Sequence, residues 1–205
     1  MKVPLSWLND YVDVDDLDIE SLAKLMTMVG LEVEEIRLVG REKPAGEKHE
    51  FKYTGISWPA NKFVVAQIDE VMPHPNADRL VLCRVNDGTG EIIVLTGAPN
   101  LYPYKGIGPL EQPLKVAYAR EGAELFDGHQ PGRQLMKLKK MKIRGVESSS
   151  MICSEKELGI SDAHGGVIIL DDDAPTGVAL VDYMGDAVFD VKTLPNMVRD
   201  ASVLG

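Results

Sequence analysis

Between Phe63 and Arg144 the chain sets out short apolar runs at close intervals, each cut off by glycine, proline or polar residues before it can lengthen. The runs are Phe63–Val71, Leu80–Val85, Glu91–Leu95, Leu114–Ala119 and Leu135–Arg144. Glycine and proline crowd the stretch from Pro99 to Pro113. Short strands at this spacing leave few solutions, and a small five-stranded Greek-key barrel is the one they predict.

The two ends have a different texture. Ser6 is placed to cap a helix carrying Trp7, Leu8 and Tyr11 on one face. Asp18 is placed to cap a second, where Leu22, Leu25, Met26 and Val29 fall at helical spacing and Leu17 can staple against Leu22. Gly30 suits a helix stop, and Leu31-Glu32-Val33 alternates like a strand. Residues 40–61 read as a break, punctuated by glycine and proline without periodicity. Near the other end, Val167–Leu170 is a buried-strand run, Val178–Met184 a helix closed by Gly185, and Ala187–Val191 an alternating strand. The fold class expected is therefore α+β. A barrel domain over 41–154 is inserted into a small discontinuous α/β domain built from 1–40 plus 155–205.

Charge is distributed along the same division. The net charge is −10. Residues 1–40 carry 3 basic and 9 acidic side chains, residues 155–205 carry 3 and 10, and residues 41–154 carry 16 and 13. A polyanion should prefer the middle and be repelled by both flanks. No apolar run approaches the roughly 20 residues of a membrane span, and no signal-peptide pattern opens the chain. Cys83 and Cys153 stand alone, as expected of reduced thiols in a cytoplasmic protein. There is no P-loop, no GxSxG elbow and no HExxH. His49, His74, His129 and His164 lack zinc spacing. No catalytic residue and no metal ligand is assigned, and neither a membrane nor DNA is expected as a partner.

Three segments offer binding chemistry. In His74-Pro75-Asn76-Ala77-Asp78-Arg79-Leu80, Pro75 ends a strand and Asn76 can bond backbone two residues on. One reading is a plain strand connector. The other places His74, Asn76 and Arg79 at a barrel mouth, with Arg79 for phosphate and His74 for stacking. From Arg133 to Arg144 the chain holds six basic residues and no acid. Strand alternation puts Lys140, Lys142 and Arg144 on one face, with a bulge or turn expected near Lys139. A solvated edge is the bland alternative to a phosphate-binding face. In Ser148–Ser154, Ser148 is a candidate backbone contact, while Ser154 with Glu157 forms a capping-box pattern. Tyr102, Tyr104 and Phe126 are possible stacking platforms, though packing beneath loops is the commoner use of such residues.

The order of these pieces is itself informative. His74–Leu80, Gly97-Ala98-Pro99-Asn100, Lys142–Ser148 and Met151–Gly159 together resemble the tRNA-binding OB domain of the bacterial phenylalanyl-tRNA synthetase beta subunit. Similar domains occur in methionyl-tRNA synthetase tails and free tRNA-binding proteins. The opening, with Val3–Leu8 and Met28–Val33, resembles the start of that beta subunit, and His164–Leu170 with Phe189-Asp190-Val191 resembles the segment completing its first domain. Leu194–Asp200 keeps only Pro195-Asn196 of the family's run there, and Ser150 stands where the family usually has glycine. The resemblance implies an OB-fold barrel and tRNA as partner through His74, Asn76, Arg79, Lys140, Lys142, Arg144 and Ser148. It also implies an alpha subunit in a tetramer of two alpha and two beta chains. ATP and magnesium belong to the full enzyme, in that alpha subunit, and this fragment should hold no cofactor and no ligase or editing activity alone. A structural docking module without significant tRNA contact is the alternative.

Overall fold

The computed structural model describes residues 1–14, 16–128, 130 and 132–193. His129 and the segment 194–205, with the Pro195-Asn196 match, lie outside the described residues. The strands in chain order are β1 (Lys2–Pro4), β2 (Val33–Gly40), β3 (Lys52–Ser57), β4 (Phe63–Pro73), β5 (Val81–Asn86), β6 (Glu91–Thr96) and β7 (Pro109–Ala119). There follow β8 (Glu124–Phe126), β9 (Leu135–Lys137), β10 (Met141–Ile143), β11 (Val146–Ser148), β12 (Met151–Ile152) and β13 (Asp186–Val191). The helices are α1 (Leu5–Asn9), α2 (Ile19–Met28) and α3 (Leu180–Met184), with a 3₁₀ turn at Pro99–Tyr104. Two compact units result, one of Met1–Ser57 with Gly185–Gly205 and one of Trp58–Met184.

The first unit is a four-stranded sheet in the order β1-β13-β2-β3, with β3 parallel to β2 and the other pairs antiparallel. Val33, Ile36 and Leu38 of β2 and Ala187, Phe189 and Val191 of β13 share a core with Leu22, Ala23 and Met26 of α2. Period-2 burial meets a helical stripe, and full burial of a side chain such as Phe189 contributes about 2–3 kcal/mol. Asp18 caps α2 as read from sequence, accepting from the backbone N–H groups of Glu20 and Ser21 at 3.1 and 2.9 Å. Gly30 follows with φ 100. Ser6 does not cap. Helix α1 starts after Pro4 without a side-chain cap, and Ser6 instead donates through Oγ to Asp186 at 2.6 Å. The buried stripe of α2 is also narrower than expected, since Leu25, Val29 and the would-be staple Leu17 are exposed.

The second unit is a five-stranded antiparallel sheet in the order β12-β7-β4-β5-β6. Its edge strands β12 and β6 touch, which nearly closes the sheet into an OB-fold barrel. Strand β4 carries a register shift between Ile68 and Glu70 against both of its neighbours, a bulge that bends it. Ile68, Val81, Val116 and Tyr118 fill the interior with Cys83. Burial pushes the Cys83 thiol up to about 12, and burial raises Cys153 well above its usual value, so both stay as thiols.

Some elements differ from the sequence reading. The run 135–144 is not one strand. Leu138 turns inward, donating its N–H to Ala123 and accepting from Gly122, which splits the run into β9 and β10 near the break anticipated at Lys139. Val167–Leu170 forms no strand; Ile168 and Leu170 donate singly to the Cys153 and Lys115 carbonyls, and Ile169 makes an isolated bridge to Val116. Helix α3 starts at Leu180 rather than Val178, because the Val178 carbonyl accepts from Val65 of β4. These bonds hold much of 155–184 in the barrel's own unit, whereas residues 41–57 fall with the first.

Candidate nucleic-acid interface

One cavity of about 340 Å³ gathers the four sequence segments. Leu80 ends the first segment, Gly97, Ala98 and Pro99 come from the second, Ile143 from the third, and Met151, Ser154 and Glu157 from the fourth. They meet because the β4–β5 loop, the end of β6, the β10–β11 hairpin and the segment after β12 cluster at one place on the barrel.

The loop between β4 and β5 is braced from inside. Asn76 donates its backbone N–H to His74 Nδ1 at 3.1 Å. The histidine ring, rather than the Asn76 side chain, thus closes the turn. His74 is only 6% exposed, which withdraws its ring from stacking. Tyr102 Oη donates to the Arg79 and Gly97 carbonyls at 2.8 and 3.2 Å, and Lys105 Nζ donates to the Asp78 carbonyl at 2.8 Å. Tyrosine and lysine side-chain donors thereby fix the loop's backbone carbonyls to the end of the 3₁₀ turn. The side chains of Asn76 and Arg79 remain exposed.

The basic segment is carried by two hairpins. Strand β10 pairs with β11 in the register Ile143↔Val146, leaving Arg144 and Gly145 as a two-residue turn. Their φ values of 50 and 94 match a type I′ turn, which needs positive φ at both positions. Arg144 is therefore presented at a hairpin tip, not on the strand face expected for it. Lys140 Nζ lies 2.8 Å from Glu147, and this pairing raises the lysine's pKa. One of the three candidate cations is thus neutralised by its neighbour. Lys142 and Arg144 are exposed and have no ion pair among the described residues, and the same holds for Arg79. On the other hairpin, Arg133 lies 5.9 Å from the centre of the Phe126 ring.

The segment after β12 is a tight turn, not the helix its capping pattern suggests. Half of the capping box forms: Glu157 accepts from the Ser154 N–H at 2.5 Å, while Ser154 Oγ has no partner among the described residues. Ser154 and Glu157 are 3% and 6% exposed. Ser148 Oγ donates to the Ser150 carbonyl at 3.2 Å, steadying the β11–β12 connection. Tyr104 packs on the barrel core and Phe126 is buried, so of the three candidate aromatics only Tyr102 retains an exposed ring.

Sequence reasoning missed two contributors. His164 lines the cavity with Nδ1 3.9 Å from Glu157 Oε1. Val167 lines it too, clamped by Asn100, whose side chain accepts from the Val167 N–H at 3.1 Å and donates to its carbonyl at 2.9 Å. The Gly-Ala-Pro-Asn segment ends in that clamp, and its asparagine was the one available signal.

Comparison with known proteins follows this geometry. A family model described as "Putative tRNA binding domain" matches residues 63–110, covering β4, β5 and β6. A phenylalanine--tRNA ligase beta subunit of Dehalococcoides mccartyi (strain ATCC BAA-2266 / KCTC 15142 / 195) is 42% identical over 196 residues, 96% of this chain and 21% of that protein. A phenylalanine--tRNA ligase beta subunit of Geobacter metallireducens (strain ATCC 53774 / DSM 7210 / GS-15) is 40% identical over 207 residues, 100% of this chain and 22% of its own length. Among solved structures, a MetRS related protein from Pyrococcus horikoshii aligns with 17% identity and a TM-score of 0.39, covering 58% of this chain and 88% of that one. The chain thus spans about a fifth of the length of the curated relatives it matches. No helix among the described residues is long and apolar enough to cross a membrane.

Proposed function

The chain is related along almost its whole length to phenylalanine--tRNA ligase beta subunits, and from that kinship we propose that its barrel is a tRNA-contacting module of such a subunit. One observation carries the reading. Arg79, Lys142 and Arg144 are exposed, lack ion pairs among the described residues, and sit on segments that border a single cavity. They meet phosphate, while His74 and Asn76 shape the loop that presents Arg79. Lys140 contributes less because Glu147 already holds it. Ser148 serves its own turn first. The module works in the cytoplasm beside an alpha subunit, in a tetramer of two alpha and two beta chains, and the ATP and magnesium of the ligation reaction act elsewhere in that enzyme.

Titration with tRNA at several salt concentrations tests this. Three phosphate contacts predict a slope of about −2 to −3 in log affinity against log salt. Arg144→Ala should reduce the slope by about one unit. A slope near zero removes the proposal.

A second reading has its own observation. Leu25, Met28 and Val29 lie on one face of α2 and are 46%, 76% and 75% exposed. Apolar side chains left open at that spacing suit a subunit contact. On this reading the first unit braces an assembly, and tRNA contact is minor. Unchanged tRNA affinity in the Arg144 variant would favour it.

A further inference from the structure

The cavity offers more than a landmark. Its walls are largely apolar, with Leu80, Leu95, Ile143 and Val167 among them, and its volume of about 340 Å³ falls in the range of small-ligand pockets, roughly 300–1,000 Å³. Within this lining stands a carboxylate. Glu157 is 6% exposed, and its Oε2 is occupied by the Ser154 N–H. Its Oε1 lies 3.9 Å from His164 Nδ1, beyond hydrogen-bond distance. Ser154, at 3% exposed, also lines the cavity, and its hydroxyl has no partner among the described residues. Buried hydroxyls in this condition are costly unless something completes them.

The surroundings indicate what completes them. Ile143 lines the cavity between Lys142 and Arg144, and Leu80 lines it next to Arg79. Each free cation is thus one residue away from a cavity wall. A ligand with a flat ring for the cavity and phosphates on either side fits this arrangement, and unpaired nucleotides are recognised in this way: base inserted, edge hydrogen-bonded, backbone held by cations.

We propose that the cavity receives one unpaired guanine of the RNA, read by the Glu157 carboxylate. This rests on the proposal that the barrel contacts tRNA and adds a base preference to it. The choice of base follows from donor patterns. A carboxylate accepts only. Guanine presents N1–H and the N2 amino group side by side as donors. Adenine and cytosine offer one amino group beside a ring nitrogen acceptor, and uracil flanks its single N3–H with two carbonyls. Those acceptors face the carboxylate unfavourably, and guanine alone places two donors side by side against it.

The test uses the whole chain with five-nucleotide RNAs, UUGUU, UUIUU (inosine at the centre, lacking the N2 amino group) and UUUUU, followed by fluorescence anisotropy. UUGUU should bind about tenfold tighter than UUUUU, one good base-edge contact being worth about that factor, with UUIUU between them. Glu157→Gln should bring the UUGUU to UUUUU ratio to about one. Should Glu157→Gln fail to fold, Leu95→Trp, at a partly exposed cavity position, should do the same by filling the space. Equal binding of UUGUU and UUUUU by the parent chain, as for a cavity built for an apolar peptide, overturns the inference, and so does a ratio that survives both variants. If tRNA still binds with the salt slope given above while the short RNAs are not distinguished, the guanine pocket alone is wrong. If neither tRNA nor the short RNAs bind, the tRNA reading falls with it.

Discussion

Reversing Lys142 and Arg144 together to glutamate is expected to weaken tRNA binding by about a hundredfold or more at ~0.15 M salt. A hydrogen bond to a charged group is worth about 1.5–3 kcal/mol, or roughly tenfold or more per contact, and each reversal also adds repulsion. At Lys142 the new carboxylate stands opposite Glu147, a like-charge pair that costs the exposed hairpin roughly 0.2–1 kcal/mol. Arg144 already sits at φ 50, so glutamate there bears no backbone strain that arginine does not. Lys140→Ala should have a much smaller effect, a few-fold at most, because its ammonium already lies 2.8 Å from Glu147. Glu147→Gln should go the other way and tighten binding by a few-fold, since it frees Lys140 and removes a carboxylate facing Lys142 across the hairpin. Filter binding or anisotropy at three or more salt concentrations checks the set. If the double reversal leaves affinity unchanged, the hairpin is not the RNA surface, and the exposed face of α2 becomes the better guide to what the chain does.

The barrel was legible because its strands are written in period 2 and ended by strong breakers. Val64, Ala66 and Ile68 of β4, and Val81, Cys83 and Val85 of β5, fall in period 2 on the barrel interior. What could not be read was the partner that each polar run meets. Strand β3 carries Lys52, Thr54, Gly55 and Ser57, and nothing in that pattern separates it from a loop. It exists because β2 offers a parallel edge, and at Gly55 an added Cβ would stand 1.9 Å from the Leu38 carbonyl oxygen. Val167–Leu170 failed in the opposite sense. Four apolar residues in a row predict a strand, yet Asn100 holds Val167 and single backbone bonds hold the rest, so no ladder forms.

For the site, sequence order named the segments but not their roles. Arg79, Lys142 and Arg144 are exposed, as the proposed contact with RNA requires. His74 is not, because its ring closes the turn from within. Glu157 looked like half of a helix cap; it makes that half, accepting from the Ser154 N–H, but in a tight turn and buried on a cavity wall. Spacing alone cannot tell a capping carboxylate from one that also faces a cavity. Only burial and the position of the cavity separate the two.

Replacing Arg120 with alanine is expected to lower the stability of the barrel unit by about 3 kcal/mol, the lower end for breaking a buried ion pair. Arg120 Nε donates to Asp87 Oδ2 at 2.7 Å, Nη2 to the Asp87 carbonyl at 3.0 Å, and Nη1 to the Asn61 carbonyl at 3.3 Å. One guanidinium thus joins the residue after β7, the residue after β5 and the turn before β4. Asp87 is 8% exposed and would be left buried with only Thr89, which donates through its N–H and Oγ1 at 3.0 and 2.7 Å. Those remaining bonds are why the lower end applies. The melting temperature should fall by roughly 10 °C at neutral pH. The sign of the pH dependence is also fixed. Burial alone would raise the Asp87 carboxyl, but the Thr89 and Arg120 hydrogen bonds outweigh it and leave the group below its ordinary 3.8. A depressed carboxyl stabilises the fold above its unfolded value and loses that contribution as pH falls through the folded one. The gap between Arg120→Ala and the parent chain should therefore be widest near neutrality and narrow once the pH drops below about 4, as Asp87 takes up a proton and no longer needs a cation. Thermal melts at pH 7 and pH 3 measure both quantities. A gap of the same size at the two pH values would mean that Arg120 holds the strand ends by packing and carbonyl contacts, with its charge contributing little.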